Sequence, residues 1–452
     1  MSTPAAAVPV PAHTAPTDAS PDDTATRTCP QCAAPLHPDP RFALWCPGCE
    51  WNLIPEGPGC SPTKHQQAAA ARADRLFQEL AAGRPTTTAR RDWLAAGAIA
   101  GLVHLATLAL FGWGLWLLAT GNTPLRCLGA VALAAVVLLR PRLGRVPNDE
   151  TVLARSAAPA LYGLADRVAA EVGSPPVHVI RLTEEFNASF ALVGLRRRPV
   201  LTIGLPLWQA LDDPQRIALL GHEFGHRVNG DHRRGLWLSS AIGALAHWYG
   251  MARPRGGWGE GGMRLLFQLA ELLSNAVMNT IAWVLWQLLL LLDRLTARAG
   301  QEAEYRADAL AAHAGSTEAA RGMLESLLLE GAANTVITRL RADHQNRRPR
   351  VVRRGTGHTD DQATTTPDAL WDRLREHLTG LPPTERERLR RRSTHARFAV
   401  DTTHPPTHLR IALLDKAPAL PAAVTITTAE STAIATELAP HRTRIARMLL
   451  AG

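Results

Sequence analysis

Two histidines and a glutamate stand close together near the middle of the chain, in the stretch GHEFGH. His222 and His226 are four residues apart, and Glu223 directly follows the first histidine. On an α-helix, residues four apart project from the same face, so both imidazoles can reach one metal ion. Zinc held in this way activates water, and the adjacent glutamate can take the water's proton during attack on a peptide carbonyl. The motif therefore predicts the site of a zinc-dependent hydrolase.

The segment around the motif has the pattern of a helix. Apolar residues recur at helical spacing between Ile217 and Val228. Asp213 is the expected N-cap, with Pro214 at the first helical position, and Gly230 can supply the left-handed residue that ends the helix.

Two residues are candidates for the third metal ligand. His232 completes an H-E-x-x-H-x-x-N-x-x-H pattern, in which Asn229 can adopt a left-handed turn. Glu304 lies on another predicted helix, and Asp308 shares its face, where it can orient one of the histidines. The competing interpretation of this second pair is a solvated charged face.

Four cysteines near the start of the chain form two C-x2-C pairs, Cys29 with Cys32 and Cys46 with Cys49. This spacing is typical of a zinc ribbon, in which one structural ion is held by four thiolates. The alternative is a pair of disulfides. The first 28 residues lack the apolar core of a secretory signal, so we expect a reducing compartment and favour zinc.

Several apolar runs predict membrane helices. Residues 93–141 contain a long run and a shorter one separated by a GNTP turn. The long run exceeds the roughly 20 residues that a helix needs to cross a bilayer, so we expect a transmembrane hairpin, with a re-entrant second segment as the alternative. Arginines flank both ends, which places both flanks in the cytoplasm by the positive-inside rule.

A second apolar pair follows the histidine motif. Residues 272–292 are uncharged and predict a further span, whereas residues 235–252 are a weaker candidate. The two segments form either a second hairpin or helices packed at the membrane interface. The weaker segment is also compatible with a buried core helix.

The part of the chain before the histidine motif has the pattern of a small α+β unit. A helix is expected near residues 156–171, followed by strands in VHVIRL, ASFALVG and PVLTIG. Further helices are expected in PDALWDRLREHL and in the last 25 residues. The predicted fold class is mainly α with a small β-sheet, together with membrane-embedded helices and the amino-terminal ribbon.

The motifs together resemble the HtpX-like and CaaX-prenyl-protease membrane gluzincins. In that family an H-E-x-x-H helix is followed, after membrane helices, by an E-x-x-x-D motif that supplies the third ligand. The matching residues here are His222, Glu223, His226, Glu304 and Asp308. The resemblance continues through FNASFALVGLRRRPVLTIGLPLWQAL and THPPTHLRIALL, and covers about residues 92–416.

The resemblance implies roles for residues outside the motif. It favours Glu304 over His232 as the third ligand, with Asp308 behind it. Asn187 and Ala188 would open an edge strand that receives an extended substrate by main-chain pairing. His404 would donate to the oxyanion, and Arg410 would support the site.

The expected organisation has five parts. A disordered tail (1–28) is followed by the ribbon (29–60), a linker or helix (61–92), the transmembrane hairpin (93–141) and the metallopeptidase domain (150–452). The expected function is that of a zinc endopeptidase in membrane-protein quality control. The alternative is an inert membrane scaffold or sensor whose ribbon binds a partner.

The expected location is the cell membrane, with several passes, and with the catalytic domain and amino terminus in the cytoplasm. Basic residues outnumber acidic ones by 49 to 40, a balance that suits a position beside anionic lipid. The partners are therefore the bilayer and protein or peptide substrates. Nucleic acid is not expected, because few aromatic residues surround the ribbon.

Overall fold

The computed structural model describes residues 27–55, 63–83, 89–140, 148–194, 196–229, 231–253, 265–346, 367–395 and 404–451. These residues are mostly helical and include two small sheets, so the predicted mainly-α composition is confirmed. The expected tail, most of which precedes residue 27, lies outside the described residues. The chain forms two compact units. The smaller combines residues 1–61 with 382–392, and the larger combines residues 62–381 with 393–452.

The described helices, in chain order, are α1 Lys64–Ala81, α2 Ala89–Thr120, α3 Thr123–Leu139, α4 Pro159–Glu171, α5 Leu205–Ala210, α6 Asp213–Val228, α7 Asp231–Ala252, α8 Leu265–Gly315, α9 Thr317–Leu327, α10 Glu330–Asn346, α11 Pro367–Thr379, α12 Pro383–Arg392, α13 Thr407–Lys416 and α14 Thr428–Ala451. The described strands are β1 Arg27–Thr28, β2 Pro35–Leu36, β3 Val152–Leu153, β4 Val179–Thr183, β5 Ala188–Val193 and β6 Arg198–Gly204.

The larger unit contains a four-stranded sheet in the order β3-β4-β6-β5. Strand β4 runs parallel to β6, and β5 runs antiparallel to β6. The β5–β6 register is unbroken from the Ala188–Ile203 pair to the Val193–Arg198 pair. All three strands predicted before the histidine motif are present, and β5 forms an edge of the sheet.

Helix α6, which carries the histidine motif, begins one residue earlier than its pattern predicted. Its N-cap is Asp212, because this carboxylate accepts a hydrogen bond from the backbone N–H of Gln215 at 2.9 Å, while the Gln215 side chain accepts from the Asp212 N–H. Asp213 is therefore the first helical residue. Asn229 is right-handed, with φ of −62°, so the left-handed turn considered there is wrong. Gly230 lies outside the described residues.

Helices α6 and α8 pack closely through small residues. A Cβ atom added to Gly221 would lie 2.9 Å from the Cβ of Ala314, and one added to Gly225 would lie 2.9 Å from the Cα of Ala307. Such distances are shorter than ordinary van der Waals contacts, so only glycine fits at these two positions. The glycines inside the motif helix therefore set the separation between α6 and α8.

Two described helical segments are long and apolar enough to cross a membrane, Arg91–Thr120 and Leu272–Gly315. Helix α3 is apolar but shorter, and it contacts α2 after a turn at Gly121, as the hairpin prediction requires. Helix α7 covers the weaker predicted segment and packs small apolar residues against α2 and α8. The passage of α7 through a bilayer stays a prediction.

The smaller unit places the four cysteines around one point. The Sγ atoms of Cys29 and Cys49 are 3.6 Å apart, and those of Cys32 and Cys46 are 3.5 Å apart. A tetrahedral zinc site with Zn–S bonds of about 2.3 Å needs sulfurs about 3.8 Å apart, whereas a disulfide needs about 2.05 Å. The backbone N–H of Cys49 lowers the pKa of the Cys46 thiol to about 7, whereas burial and the neighbouring sulfurs raise the pKa of the Cys49 thiol, so Cys46 is the thiol that ionises first.

Helix α12 belongs to the same compact unit as the cysteines, although it lies far along the chain. The guanidinium of Arg388 is buried, forms two hydrogen bonds of 2.7 Å with Glu385, and donates to the carbonyl of Leu53 at 3.1 Å. Arg391 lies over the Trp45 ring and 3.6 Å from Glu50. A helix this short is unstable alone, so its order depends on the ribbon.

We expect the substitution Cys46→Ser to loosen helix α12 as well as the ribbon. Loss of one thiolate weakens zinc binding, and a ribbon without metal cannot keep its fold. Amide hydrogen exchange of residues 383–392 should become faster by about tenfold or more, with α11 unchanged. Cys127→Ser on the exposed part of α3 is the control. Unchanged exchange in α12 of the Cys46 variant would contradict the coupling.

We also expect Gly225→Ala to destabilise the larger unit. Alanine improves helix propensity by about 1 kcal/mol, but the added methyl group meets the Ala307 backbone, and overpacking costs about 1–3 kcal/mol. The melting temperature in detergent should therefore fall. Gly163→Ala in α4 is the matched control, because its added Cβ meets no atom within 4 Å. A melting temperature of Gly225→Ala equal to or above that of Gly163→Ala would show that the contact is not tight.

Candidate metal centre

Helix α6 places its two histidines as the spacing predicted. The Nε2 atoms of His222 and His226 are 3.2 Å apart, and the two rings meet edge to face with centroids 4.7 Å apart. His222 is buried, and His226 is half-buried. Both imidazoles therefore present a nitrogen to the same point.

Helix α8 brings Glu304 to that point. Its Oε1 atom lies 3.4 Å from Nε2 of His226, and its Oε2 atom lies 3.5 Å from Nε2 of His222. These three residues are close enough to hold one metal ion. The side chain of His232, the other candidate ligand, lies outside the described residues.

The three side chains fit a zinc ion. Zinc bonds of about 2.0–2.2 Å to nitrogen and oxygen in a tetrahedron require donor atoms about 3.3–3.5 Å apart. The two Nε2 atoms are 3.2 Å apart, and each oxygen of Glu304 lies at a similar distance from one of them, Oε1 at 3.4 Å from His226 and Oε2 at 3.5 Å from His222. In addition, the buried Oε2 of Glu304 accepts no hydrogen bond within the described part of the chain. Two imidazoles and one carboxylate form a donor set that leaves a fourth position for water.

A buried ion pair lies behind His222. Nδ1 of His222 is 3.1 Å from Oδ1 of Asp308, so this carboxylate can hold the imidazole with Nε2 directed at the metal position. The guanidinium of Arg410 donates to both oxygens of Asp308, at 2.8 and 2.6 Å. Burial lowers the pKa of Arg410, but the charges of Asp308 and Glu304 outweigh that effect and raise it above its usual value. Arg410 is therefore a buried permanent cation.

His404 also reaches the site. Its Nδ1 lies 2.9 Å from Oε1 of Glu304, and about half of its side chain is exposed. The imidazole thus borders both the metal ligand and the solvent.

The edge strand lies beside the motif helix. The ring of Phe190 on β5 meets that of Phe224 on α6 edge to face, with centroids 5.9 Å apart. At the start of the strand, the carbonyl of Asn187 accepts from Gly204, and Ala188 pairs with Ile203. The remaining predicted residue, Glu223, is buried next to His222 in α6.

The sequence pattern did not predict the cavity of about 310 Å³ that adjoins His404. Helix α1, which the sequence suggested only as a linker or helix, forms one wall, and the polar end of α8 forms another. The lining residues come from four separate parts of the chain. The only signal in the sequence was the charged residues of the α1 and α8 segments.

We expect Glu304→Ala to lose the metal of this site while the ribbon keeps its own. Total zinc should fall from about two ions per chain to about one, because two imidazoles alone bind weakly. Asp308→Ala should weaken binding by about 10–100-fold, since it only orients a ligand. Metal content of the purified proteins checks both. His232→Ala is the comparison variant. Zinc loss in His232→Ala and not in Glu304→Ala would show that Glu304 is not the third ligand.

A scan against protein-family models matches peptidase family M48 over residues 157–417, which is more than half of the chain. The matched region contains the three ligands, the buried ion pair and His404, whereas the ribbon and α1–α3 precede it. No curated protein and no solved structure matches the chain. The family match confirms the resemblance seen in the motifs, and the chain belongs to peptidase family M48.

Proposed function

We propose that the protein is a membrane-bound zinc endopeptidase that cleaves extended segments of protein substrates. Family membership implies metallopeptidase activity. The observation that carries the proposal is the convergence of His222, His226 and Glu304. Glu304 follows His222 by 82 residues in the sequence, yet its carboxylate oxygens lie within 3.5 Å of the histidine Nε2 atoms. Together with family membership, this convergence favours the peptidase over the inert scaffold.

Glu223 is the proposed general base. Zinc bound by the three ligands would supply a Lewis acid that polarises the carbonyl and makes water more acidic. The Glu223 carboxylate, next to His222 in α6, takes the proton of the attacking water and passes it to the leaving amine.

His404 and Arg410 have different proposed roles. His404 can donate from Nδ1 to Glu304, and with a second proton, gained during the reaction, it can donate from Nε2 to the developing oxyanion. Arg410 is buried against Asp308 and lies 3.4 Å from Nδ1 of His222 and 3.5 Å from Oε2 of Glu304, so it acts by holding these side chains in place.

Strand β5 is the proposed binding platform for the substrate main chain. The strand lies at the sheet edge, starts at Ala188, and is held against α6 by the contact between Phe190 and Phe224. An extended peptide paired with this edge would run past the metal ligands. Recognition through the main chain makes few demands on the substrate sequence.

We further propose that the catalytic centre lies at the cytoplasmic face of the membrane. Two apolar helical segments support membrane attachment, and one of them continues into the metal ligand Glu304. Arginines follow the apolar part of α8 at residues 294 and 298 and flank the predicted hairpin, which favours a cytoplasmic position. A protease in this place has access to the exposed loops of membrane proteins, which suits quality control.

The proposed activity is tested with Glu223→Gln. The purified, zinc-loaded protein in detergent should cleave casein, and the variant should lose at least about 100-fold in rate, because general-base catalysis contributes about 10²–10⁴-fold. Its zinc content should be unchanged, since Glu223 is not a ligand. Glu318→Gln, an exposed glutamate on α9, is the matched control. Equal cleavage by both variants, or none by the fully loaded wild-type protein, would favour the scaffold.

A further inference from the structure

The cavity that adjoins His404 is unusually basic. Helix α1 and the polar end of α8 face each other across it, and Asp92 and Pro406 complete the wall. Four arginines line it, two from each helix: Arg72, Arg75, Arg294 and Arg298. We call it the basic cavity.

The arginines lie on helix faces that point to one space. Arg72 and Arg75 are three residues apart on α1, and Arg294 and Arg298 are four apart on α8, so each pair occupies one helix face. Arg75 and Arg294 are exposed, so solvent screens part of the repulsion between these like charges, and a bound anion would remove more of it.

The carboxylates of the cavity do not balance this charge. Arg298 is paired with Glu79 of α1 and with Glu302 of its own helix. Asp92 is the only other acidic residue among the lining residues. Within the described part of the chain, the other three arginines form no ion pair. The basic cavity therefore keeps an excess of positive charge.

The position of His404 indicates which anion would bind. His404 lines the basic cavity, and its Nδ1 is 2.9 Å from Oε1 of the metal ligand Glu304. A group in the basic cavity is thus next to the place where the peptide bond is cleaved. The volume of about 310 Å³ is at the small end of ligand pockets and is large enough for a side chain.

We propose that the basic cavity binds a carboxylate of the substrate, and so selects peptides with an aspartate or glutamate close to the scissile bond. Guanidinium groups suit this ligand, because their paired N–H donors match the two oxygens of a carboxylate. The inference rests on the proposed peptidase function. It adds a charge preference to main-chain recognition that is otherwise tolerant of sequence.

The experiment compares matched peptides cleaved by the full-length, zinc-loaded protein in a neutral detergent. Internally quenched peptides with amidated carboxyl ends carry one glutamate at successive positions on either side of the scissile bond, and each has a glutamine twin. We expect kcat/KM to be at least about tenfold higher for glutamate than for glutamine at one position, mainly through KM. A twin with a free carboxyl end tests whether a terminal carboxylate gives the same gain.

The arginine variants test whether the basic cavity causes the preference. In the double variant Arg72→Glu, Arg294→Glu, the ratio of kcat/KM for the glutamate peptide to that for its glutamine twin should fall to about one or below. The double variant Arg72→Lys, Arg294→Lys should keep part of the preference for glutamate. Arg339→Glu, an exposed arginine on α10, should keep all of it. The ratio is independent of the folded fraction, so partial misfolding cannot imitate the result.

Three outcomes would overturn the inference. The first is a ratio near one in the wild-type protein at every position. The second is a ratio that survives the double charge reversal. The third is that anionic lipid vesicles speed the cleavage of the glutamate and glutamine peptides equally, and that the double charge reversal abolishes this stimulation. The arginines would then bind lipid headgroups. Failure to cleave even the glutamine peptides with zinc bound would instead reject the proposed function itself.

Discussion

The close approach of α6 and α8 is the constraint on which the metal centre depends. Three ligands must come within about 3.5 Å of one another, and two of them are on one helix while the third is on the other. Gly221 and Gly225 remove the side chains that would keep the helices apart, and Ala307 and Ala314 face them. Glycine inside a helix costs about 1 kcal/mol relative to alanine. The fold accepts this cost because a larger residue would move Glu304 away from the histidines.

Charge balance gives a second reason to place a divalent cation here. Glu223, Glu304 and Asp308 are buried carboxylates, and Arg410 is the buried guanidinium that contacts the last two. With neutral histidines, this set has a net charge of about −2, and buried charges are costly unless they are compensated. A zinc ion would bring the set to neutrality. The arginine is needed for the same reason, because without it the only direct partner of the buried Asp308 carboxylate would be the imidazole of His222.

Local patterns predicted much of the fold and site. The spacing of His222 and His226 predicted one shared metal position, and alternating apolar runs predicted β4, β5 and β6. The N-cap of α6 was predicted one residue too late, at Asp213 and not Asp212, because either of two adjacent aspartates can cap a helix. Glu304 could be selected only by resemblance, since no spacing rule connects residues so far apart in sequence.

Long-range packing was beyond the sequence patterns. Helix α12 is strongly polar, so no apolar stripe marks the face that packs on the ribbon; instead Arg388 and Glu385 are buried as a pair. The basic cavity has a similar origin, because its arginines look like ordinary solvated or membrane-flanking residues in the linear sequence. Both features depend on which distant segments meet, and that is decided by the whole fold.

The continuity of α8 fixes where the chemistry can occur. The helix runs unbroken from its apolar half to Glu304, so the distance between Leu292, the last residue of the uncharged run, and Glu304 is set by the helical rise. Twelve residues correspond to about 18 Å, whereas the headgroup layer on each side of a bilayer is only about 5–8 Å thick. With the apolar half in a membrane, the ligand lies outside the hydrocarbon, even if the helix is tilted. For the proposed peptidase, this position would require a substrate segment that has already left the bilayer, and an extended segment is the form of chain that the proposed β5 platform pairs with.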